Sequence, residues 1–388
     1  MAKITLSVIK ADVGSIGGHT KPSESMLAVV RARLFQNKDS DLKLRDALVT
    51  HTGDDIAIIM SHDNGVGAKN IHKFAWDCFL AATEVAKEQG CYGAGQDLLV
   101  DAPSGNLRGA GPAVAEIEFD LVPSPPPGEK ESRRKAEAFL VFAADKCGPG
   151  AYNFHLWNTF CNPMKNGGLL LAPELAKGFT VTVIDMDNKS KDFDRIVKLN
   201  IPDESWLLAA LLRNIDRYAI EAVHSRAYPQ EQIVSLSATR LHNIAGKYMG
   251  KDDPVMIFRT QKIFPAPEEV IAPYRATPFV TGDCRGSHTM SLMPMPINSP
   301  VSGEYCQPIV SCLAFSMDKD GGFSREWLDM FAGREWDSAR THAALKSDLM
   351  REQGFFGVAM ASQEEIAYTG LMETLKALDE RFELRQNP

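Results

Sequence analysis

The stretch Lys3-Ile4-Thr5-Leu6-Ser7-Val8-Ile9-Lys10-Ala11-Asp12-Val13-Gly14-Ser15-Ile16-Gly17-Gly18-His19 reads as a first β-strand that runs into a carboxylate, turns on glycines and closes on a histidine. Glycines let backbone amides approach an anion closely, and Asp and His are both metal ligands. The Gly-Lys-Ser/Thr ending of a Walker loop is missing. Taken alone, an ordinary strand and turn is the better account of the stretch.

Outward from this strand, the chain alternates between a period of two and a period of 3.6. The pattern predicts strands near 3–10, 45–51, 55–62, 113–122, 137–144, 178–186, 194–199, 217–225, 232–238, 254–260 and 308–317. It predicts helices near 22–36, 69–89, 151–160, 204–213, 335–353 and 362–381, with Phe74, Cys78 and Ala81 on one face of the second. Only Pro123 to Lys135 has the prolines and charges of an exposed, semi-extended segment. It reads as a surface loop between Val114–Leu121 and Phe139–Ala143, which are expected to pair as neighbouring strands. With no internal repeat, the expectation is one mixed α/β domain spanning 1–388.

Composition narrows the class. A hydrophobic fraction of 44% with 24% charged residues is that of a soluble globular chain, and 388 residues support a core that needs no disulfide staples. A net charge of −8 and the lack of a basic stripe with interleaved aromatics argue against nucleic acid. The seven cysteines are scattered and form no C-x-x-C pair, which argues against a zinc knuckle or a disulfide framework. The first ten residues lack the apolar core of a signal peptide, and no apolar run approaches the roughly 20 residues of a membrane span. The cytoplasm is the expected compartment.

The densest chemistry lies in Gly246-Lys247-Tyr248-Met249-Gly250-Lys251-Asp252-Asp253-Pro254. Paired carboxylates can hold hard cations such as Mg²⁺, and a deprotonated lysine can attack a carbonyl to form a Schiff base. A charged, solvated turn would have the same composition. Similar clusters recur. His51-Thr52-Gly53-Asp54-Asp55 places two carboxylates before an apolar strand, where joint ligation needs the bend that Gly53 permits. Tyr92-Gly93-Ala94-Gly95-Gln96-Asp97 and Ser104-Gly105-Asn106-Leu107-Arg108-Gly109 are small-residue loops with hydrogen-bonding side chains. Ala144-Asp145-Lys146 ends a strand, where α/β proteins often bind ligands, and Arg285-Gly286-Ser287-His288 suits a phosphate. Together the clusters suggest a multi-cation site for a phosphorylated ligand, in which metals offset phosphate charge and activate water.

Read in order, these motifs resemble the fructose-1,6-bisphosphate aldolase/phosphatase family of bifunctional gluconeogenic enzymes. The family's opening S-V-I-K-A-D-x-G-S and G-H are here Ser7 to Ser15 and Gly18-His19. Its G-D-D, G-Q-D-L-L, S-G-N and A-D-K are Gly53 to Asp55, Gly95 to Leu99, Ser104 to Asn106 and Ala144 to Lys146. Its I-A-G-K-Y-x-G-K-D-D-P-V-M and R-G-S-H are Ile244 to Met256 and Arg285 to His288, and its late E-Y-T is Ala367-Tyr368-Thr369.

The resemblance implies a four-layer α-β-β-α sandwich, assembled as a homo-octamer. It implies that Asp12, His19, Asp54, Asp55, Gln96, Asp145, Asp252 and Asp253 bind several Mg²⁺ ions. It makes Lys251 the lysine that forms a Schiff base with dihydroxyacetone phosphate, and Tyr248 its acid/base partner. Tyr92, Gly105, Asn106, Lys146, Arg285 and Tyr368 become substrate or phosphate contacts. The implied reactions are condensation of dihydroxyacetone phosphate with glyceraldehyde 3-phosphate, then hydrolysis of the C1 phosphate of fructose 1,6-bisphosphate. Thr20 replaces a second histidine, and Cys147-Gly148 replaces a carboxylate-bearing stretch of the family pattern. A phosphatase without aldolase activity, a phosphatase for another sugar or inositol phosphate, and a non-catalytic sugar-phosphate sensor are the alternative readings. Two aspartates beside Lys251 favour its protonated form, so cations on Asp252 and Asp253 are expected to assist the amine.

Overall fold

The computed structural model describes residues 3–37, 40–98, 111–120, 136–165, 175–186, 193–215, 217–238, 253–260, 264–282, 288–301, 307–353 and 370–386. Tyr248, Lys251, Asp252, Gly105, Asn106, Arg285, Tyr368 and the 123–135 segment lie outside these residues.

The first four strands form one antiparallel sheet: β1 (Ile4–Asp12), β2 (Leu44–Thr52), β3 (Asp55–His62) and β4 (Ala113–Phe119), in the order β2-β3-β1-β4. The later strands are β5 (Ala136–Asp145), β6 (Phe179–Asp185), β7 (Phe193–Ile201), β8 (Tyr218–Ser225), β9 (Gln232–Leu236), β10 (Val255–Thr260), β11 (Phe279–Gly282), β12 (His288–Ser291), β13 (Met293–Pro294), β14 (Ile309–Asp318), β15 (Leu328–Asp329) and β16 (Glu383–Gln386). All but the β11–β12 pair join a ten-stranded sheet in the order β13-β14-β5-β10-β9-β8-β6-β7-β16, with β15 beside β14.

Side-chain parity builds the layers. On β1, Leu6 and Val8 face the larger sheet, packing with Phe139 and Val141 of β5, Ile257 of β10 and Phe315 of β14. Ile9 and Ala11 point the other way, onto helices α1 (Glu24–Phe35) and α2 (Lys69–Glu88). The outer face of the larger sheet, including Leu140, Phe142 and Phe258, is covered by helices that contribute Leu156, Phe160, Leu208, Leu211 and Leu378. The result is the expected α-β-β-α sandwich. Each fully buried large apolar side chain in these cores contributes about 1.5–3 kcal/mol. Among the described residues no helix is long and apolar enough to cross a membrane.

One expectation is corrected. The strands around 114–121 and 139–143 are not neighbours: β4 pairs with β1, and β5 lies between β14 and β10. They meet face to face, with Phe119 and Phe139 ring centroids 5.2 Å apart. The unbroken apolar run of β5 buries both faces, whereas β4 alternates apolar residues with Glu116 and Glu118 as a one-sided edge strand does. On α2 the buried stripe is Ile71, Ala75, Cys78, Phe79, Ala82 and Ala86, leaving Phe74 and Ala81 on its flank.

A groove of about 900 Å³ runs along the inner face of β6, β7 and β8, lined by Thr180, Thr182, Lys198 and His224 among others. None of the predicted site residues among the described ones lines it, so it is not where the strand-end carboxylates Asp12, Asp54, Asp55 and Asp145 act.

Candidate metal and phosphate site

The site caps the inter-sheet core at one end. Lys10 and Asp12 share the parity of Val8 on β1, Asp55 that of Ile59 on β3, and Asp145 that of Val141 on β5. All four therefore point between the sheets, just where the apolar side chains stop. Antiparallel pairing sets Asp12 opposite Asp55. The two sheets are tied together here by Asp54 N, which donates to Asp145 Oδ2 at 3.1 Å, and by a 2.6 Å hydroxyl contact between Thr52 of β2 and Ser311 of β14.

Gly53 makes the bend that two neighbouring carboxylates require. Its φ of +57° turns the chain so that Asp54 lies in the turn and Asp55 begins β3. The turn is clasped from outside by Gly53 N donating to Ser299 O at 3.0 Å and His51 N donating to Asn298 Oδ1 at 2.8 Å.

Asp12, Asp54, Asp55 and Asp145 are all at most 3% exposed, and two triads emerge. One ligand atom each from Asp12, His19 and Asp54 lie within 4.8 Å of one another, as do those from Asp54, Asp55 and Asp145. His19 Nδ1 is 3.2 Å from Asp54 Oδ2, and its ring meets the edge of Tyr92, with centroids 4.8 Å apart. Two buried lysines offset part of the charge. Lys10 is hydrogen-bonded to Asp55 Oδ2, and Lys146 to Asp54 Oδ1, with Lys146 Nζ also 2.9 Å from Asp145 Oδ1.

Burial shapes the titration of Asp12, Asp54, Asp55, Asp145 and Lys146. It pushes Asp12 and Asp145 well above the usual carboxylate range, and Asp55 up to about 7 against the attraction of Lys10. Burial acts in the same sense on Asp54, but the Lys146 ammonium and the hydrogen bonds from His19 and Lys146 outweigh it and hold this carboxyl below its ordinary value. Lys146 stays protonated because Asp145, Asp54, Asp253 and Asp55 outweigh the burial that favours its neutral form.

This donor set fits a hard divalent cation. It is mostly carboxylate oxygen with one imidazole, and the buried Asp55 Oδ1 and Asp145 Oδ1 accept no hydrogen bond among the described residues. A buried acceptor without a donor is costly unless a cation meets it. Like charges crowded at one strand end would repel without such neutralisation.

The remaining predicted residues distribute unevenly. Asp253 reaches the cluster through the backbone: its Oδ1 accepts Lys146 N at 2.5 Å and its N donates to Cys147 O at 2.7 Å. Tyr92 is 43% exposed beside His19, held by reciprocal 2.9 Å backbone hydrogen bonds with Ser15. The Gln96 side chain makes no hydrogen bond to the carboxylates among the described residues. Its neighbour Asp97 does the inward work, its Oδ2 accepting Asp12 N at 2.9 Å.

Lys10 and Asp97 were not expected as site residues. A lysine on the inward face of an otherwise apolar strand was the available signal, since a buried ammonium must be paired.

The chain matches the family described as fructose-1,6-bisphosphatase over residues 3–383. It is 47% identical to a fructose-1,6-bisphosphate aldolase/phosphatase of Thermus thermophilus, covering 98% of this chain and 99% of the relative. It is 41% identical to one of Cenarchaeum symbiosum (98% and 95% covered) and 38% identical to one of Methanocaldococcus jannaschii (98% and 92% covered). With full-length matches of this order and the strand-end carboxylates in place, the chain belongs to the fructose-1,6-bisphosphate aldolase/phosphatase family.

Proposed function

We propose that this protein is a bifunctional gluconeogenic enzyme that makes fructose 1,6-bisphosphate from two triose phosphates and then hydrolyses its C1 phosphate. The observation that carries the reading is the convergence of Asp12, Asp54, Asp55 and Asp145 with Lys146 at one end of the inter-sheet core. Several Mg²⁺ ions, when bound, offset phosphate charge and activate the attacking water. Asp12, His19, Asp54, Asp55, Asp145 and Asp253, with Asp252 and Gln96, are the residues proposed to hold them.

For the condensation, the Lys251 amine adds to C2 of dihydroxyacetone phosphate and water leaves, giving an iminium. Loss of a C3 proton gives the enamine, whose carbon attacks the aldehyde of glyceraldehyde 3-phosphate. Hydrolysis of the new iminium then returns the lysine. Tyr248 carries protons in these steps. Tyr92, Gly105, Asn106, Lys146, Arg285 and Tyr368 position the substrate and its phosphates. The same reading makes the chain a single-domain protomer of a homo-octamer working in the cytoplasm; light scattering after size exclusion tests the assembly.

The deciding experiment supplies both triose phosphates and Mg²⁺ and assays fructose 6-phosphate and free phosphate together. Both products are expected. Borohydride should trap dihydroxyacetone phosphate on Lys251, and Lys251→Met should abolish trapping while retaining hydrolysis of added fructose 1,6-bisphosphate. Hydrolysis of the bisphosphate without condensation or trapping would reduce the protein to a phosphatase.

A further inference from the structure

Lys146 is an unusual cation. It sits directly after β5 with φ +65°, in the left-handed region that non-glycine residues seldom occupy, and is 4% exposed. Its backbone N is held by Asp253 Oδ1, and this turn carries the side chain into the carboxylates. The ammonium is hydrogen-bonded to Asp54 Oδ1 and lies 2.9 Å from Asp145 Oδ1 without hydrogen-bond alignment. It therefore rests on two of the three members of the Asp54, Asp55 and Asp145 triad.

We propose that Lys146 is a displaceable counter-ion: it neutralises Asp54 and Asp145 in the metal-free protein, and a divalent cation binding those carboxylates releases its ammonium to receive an anionic phosphate. The inference rests on the sugar-phosphate reading above and adds a coupling between cation and phosphate binding.

Three observations support it. Asp54 and Asp145, the two carboxylates that Lys146 meets, stand with Asp55 in one candidate cation triad, so the ammonium occupies ground that a divalent cation would take. Asp145 Oδ1 and Asp55 Oδ1 are buried without hydrogen bonds among the described residues, so an incoming cation finds acceptors that Lys146 does not fully engage. A lysine ammonium is a point charge on a flexible four-carbon stem, so it can leave one set of oxygens and reach another while its backbone stays fixed. Lys10 cannot do the same. It is 1% exposed within β1, two residues inside Asp12 and beneath the cluster.

The test labels surface amines by mass spectrometry in metal-free and Mg²⁺-saturated protein, without sugar phosphate. Lys146 is expected to react about tenfold faster with Mg²⁺, a coupling of ordinary size, while Lys10 stays protected in both states. In parallel, Mn²⁺ binding is measured by electron paramagnetic resonance. Lys146→Met, which keeps the stem and removes the competing ammonium, is expected to bind Mn²⁺ about tenfold tighter than wild type. Equal protection of Lys146 with and without Mg²⁺ overturns the proposal, as does weaker Mn²⁺ binding by the variant. If Lys146→Met does not fold, the wild-type labelling decides alone. Neither readout uses aldolase or phosphatase activity, so a failed activity assay and a failed counter-ion test are distinguishable.

Discussion

The carboxylate of Asp145 fills the space where a side chain on Gly53 would begin: a Cβ there would lie 1.6 Å from Asp145 Oδ2. The glycine serves two ends at once, since its φ of +57° also makes the turn that delivers Asp54. Gly53→Ala is therefore expected to destabilise the protein by about 2–4 kcal/mol, combining left-handed backbone strain with forced repacking. Denaturant unfolding measures that loss. Mn²⁺ binding should fall with it, because Asp145 must move; an alanine variant with wild-type stability and affinity would contradict this placement.

Asp97 is expected to act by holding Asp12 through its backbone amide. Asp97→Ala should weaken Mn²⁺ binding about 10–100-fold, the usual cost of losing a group that orients a ligand. Asp97→Asn keeps an acceptor for that amide and should retain most of the affinity. Equal losses in both variants would place the contribution in the charge and not in the hydrogen bond.

Asp54 touches both the imidazole of His19 and the ammonium of Lys146, so its removal disturbs both triads. Asp54→Asn is expected to lower phosphate release from fructose 1,6-bisphosphate by about 100-fold or more, on the scale of losing one electrostatic contact to the transition state. Mg²⁺ at about 100 times its dissociation constant should stabilise wild type by about 2.7 kcal/mol, and this gain should shrink in the variant. Unchanged release at saturating Mg²⁺ removes Asp54 from the catalytic set.

His155, buried in the helix Asn153–Phe160 on the outer side of the larger sheet, predicts a pH dependence of folding. Its ring stacks on Tyr274 with centroids 3.8 Å apart, and burial pushes its pKa down to about 3. The unfolded chain takes up a proton near the ordinary histidine value of about 6.5 while the folded chain does not, so stability falls as pH drops between these values. From pH 7 to pH 5 the loss from this residue is about 2 kcal/mol. Urea unfolding of metal-free wild type and His155→Phe at both values isolates it: the fall in stability from pH 7 to pH 5 should be about 2 kcal/mol larger in wild type than in the variant.

Several features were legible locally. The period of two in Leu6, Val8, Ile9 and Ala11, and the apolar run from Phe139 to Ala144, specify strands whose ends carry Asp12 and Asp145. The glycine before Asp54 announces a turn. The period of 3.6 in 69–89 specifies a helix, though the buried stripe falls on Ala75 and Phe79 more than on Phe74. The short strands at 279–282, 288–291 and 383–386 were not read, because four residues carry too little periodicity and Glu383 to Gln386 is largely polar.

What the chain alone determined was therefore which segments are strands or helices and which strands end in a carboxylate, because pleat and helix periods are local. Only the tertiary structure decided that β4 and β5 face each other across a core instead of pairing, and that Asp12 stands opposite Asp55. It alone decided that Lys10 and Lys146, separated by more than a hundred residues, are counter-ions in one buried cluster. Those relations follow from burial summed over two sheets and from charges that must be neutralised once water is excluded, and neither is written in the spacing of neighbouring residues.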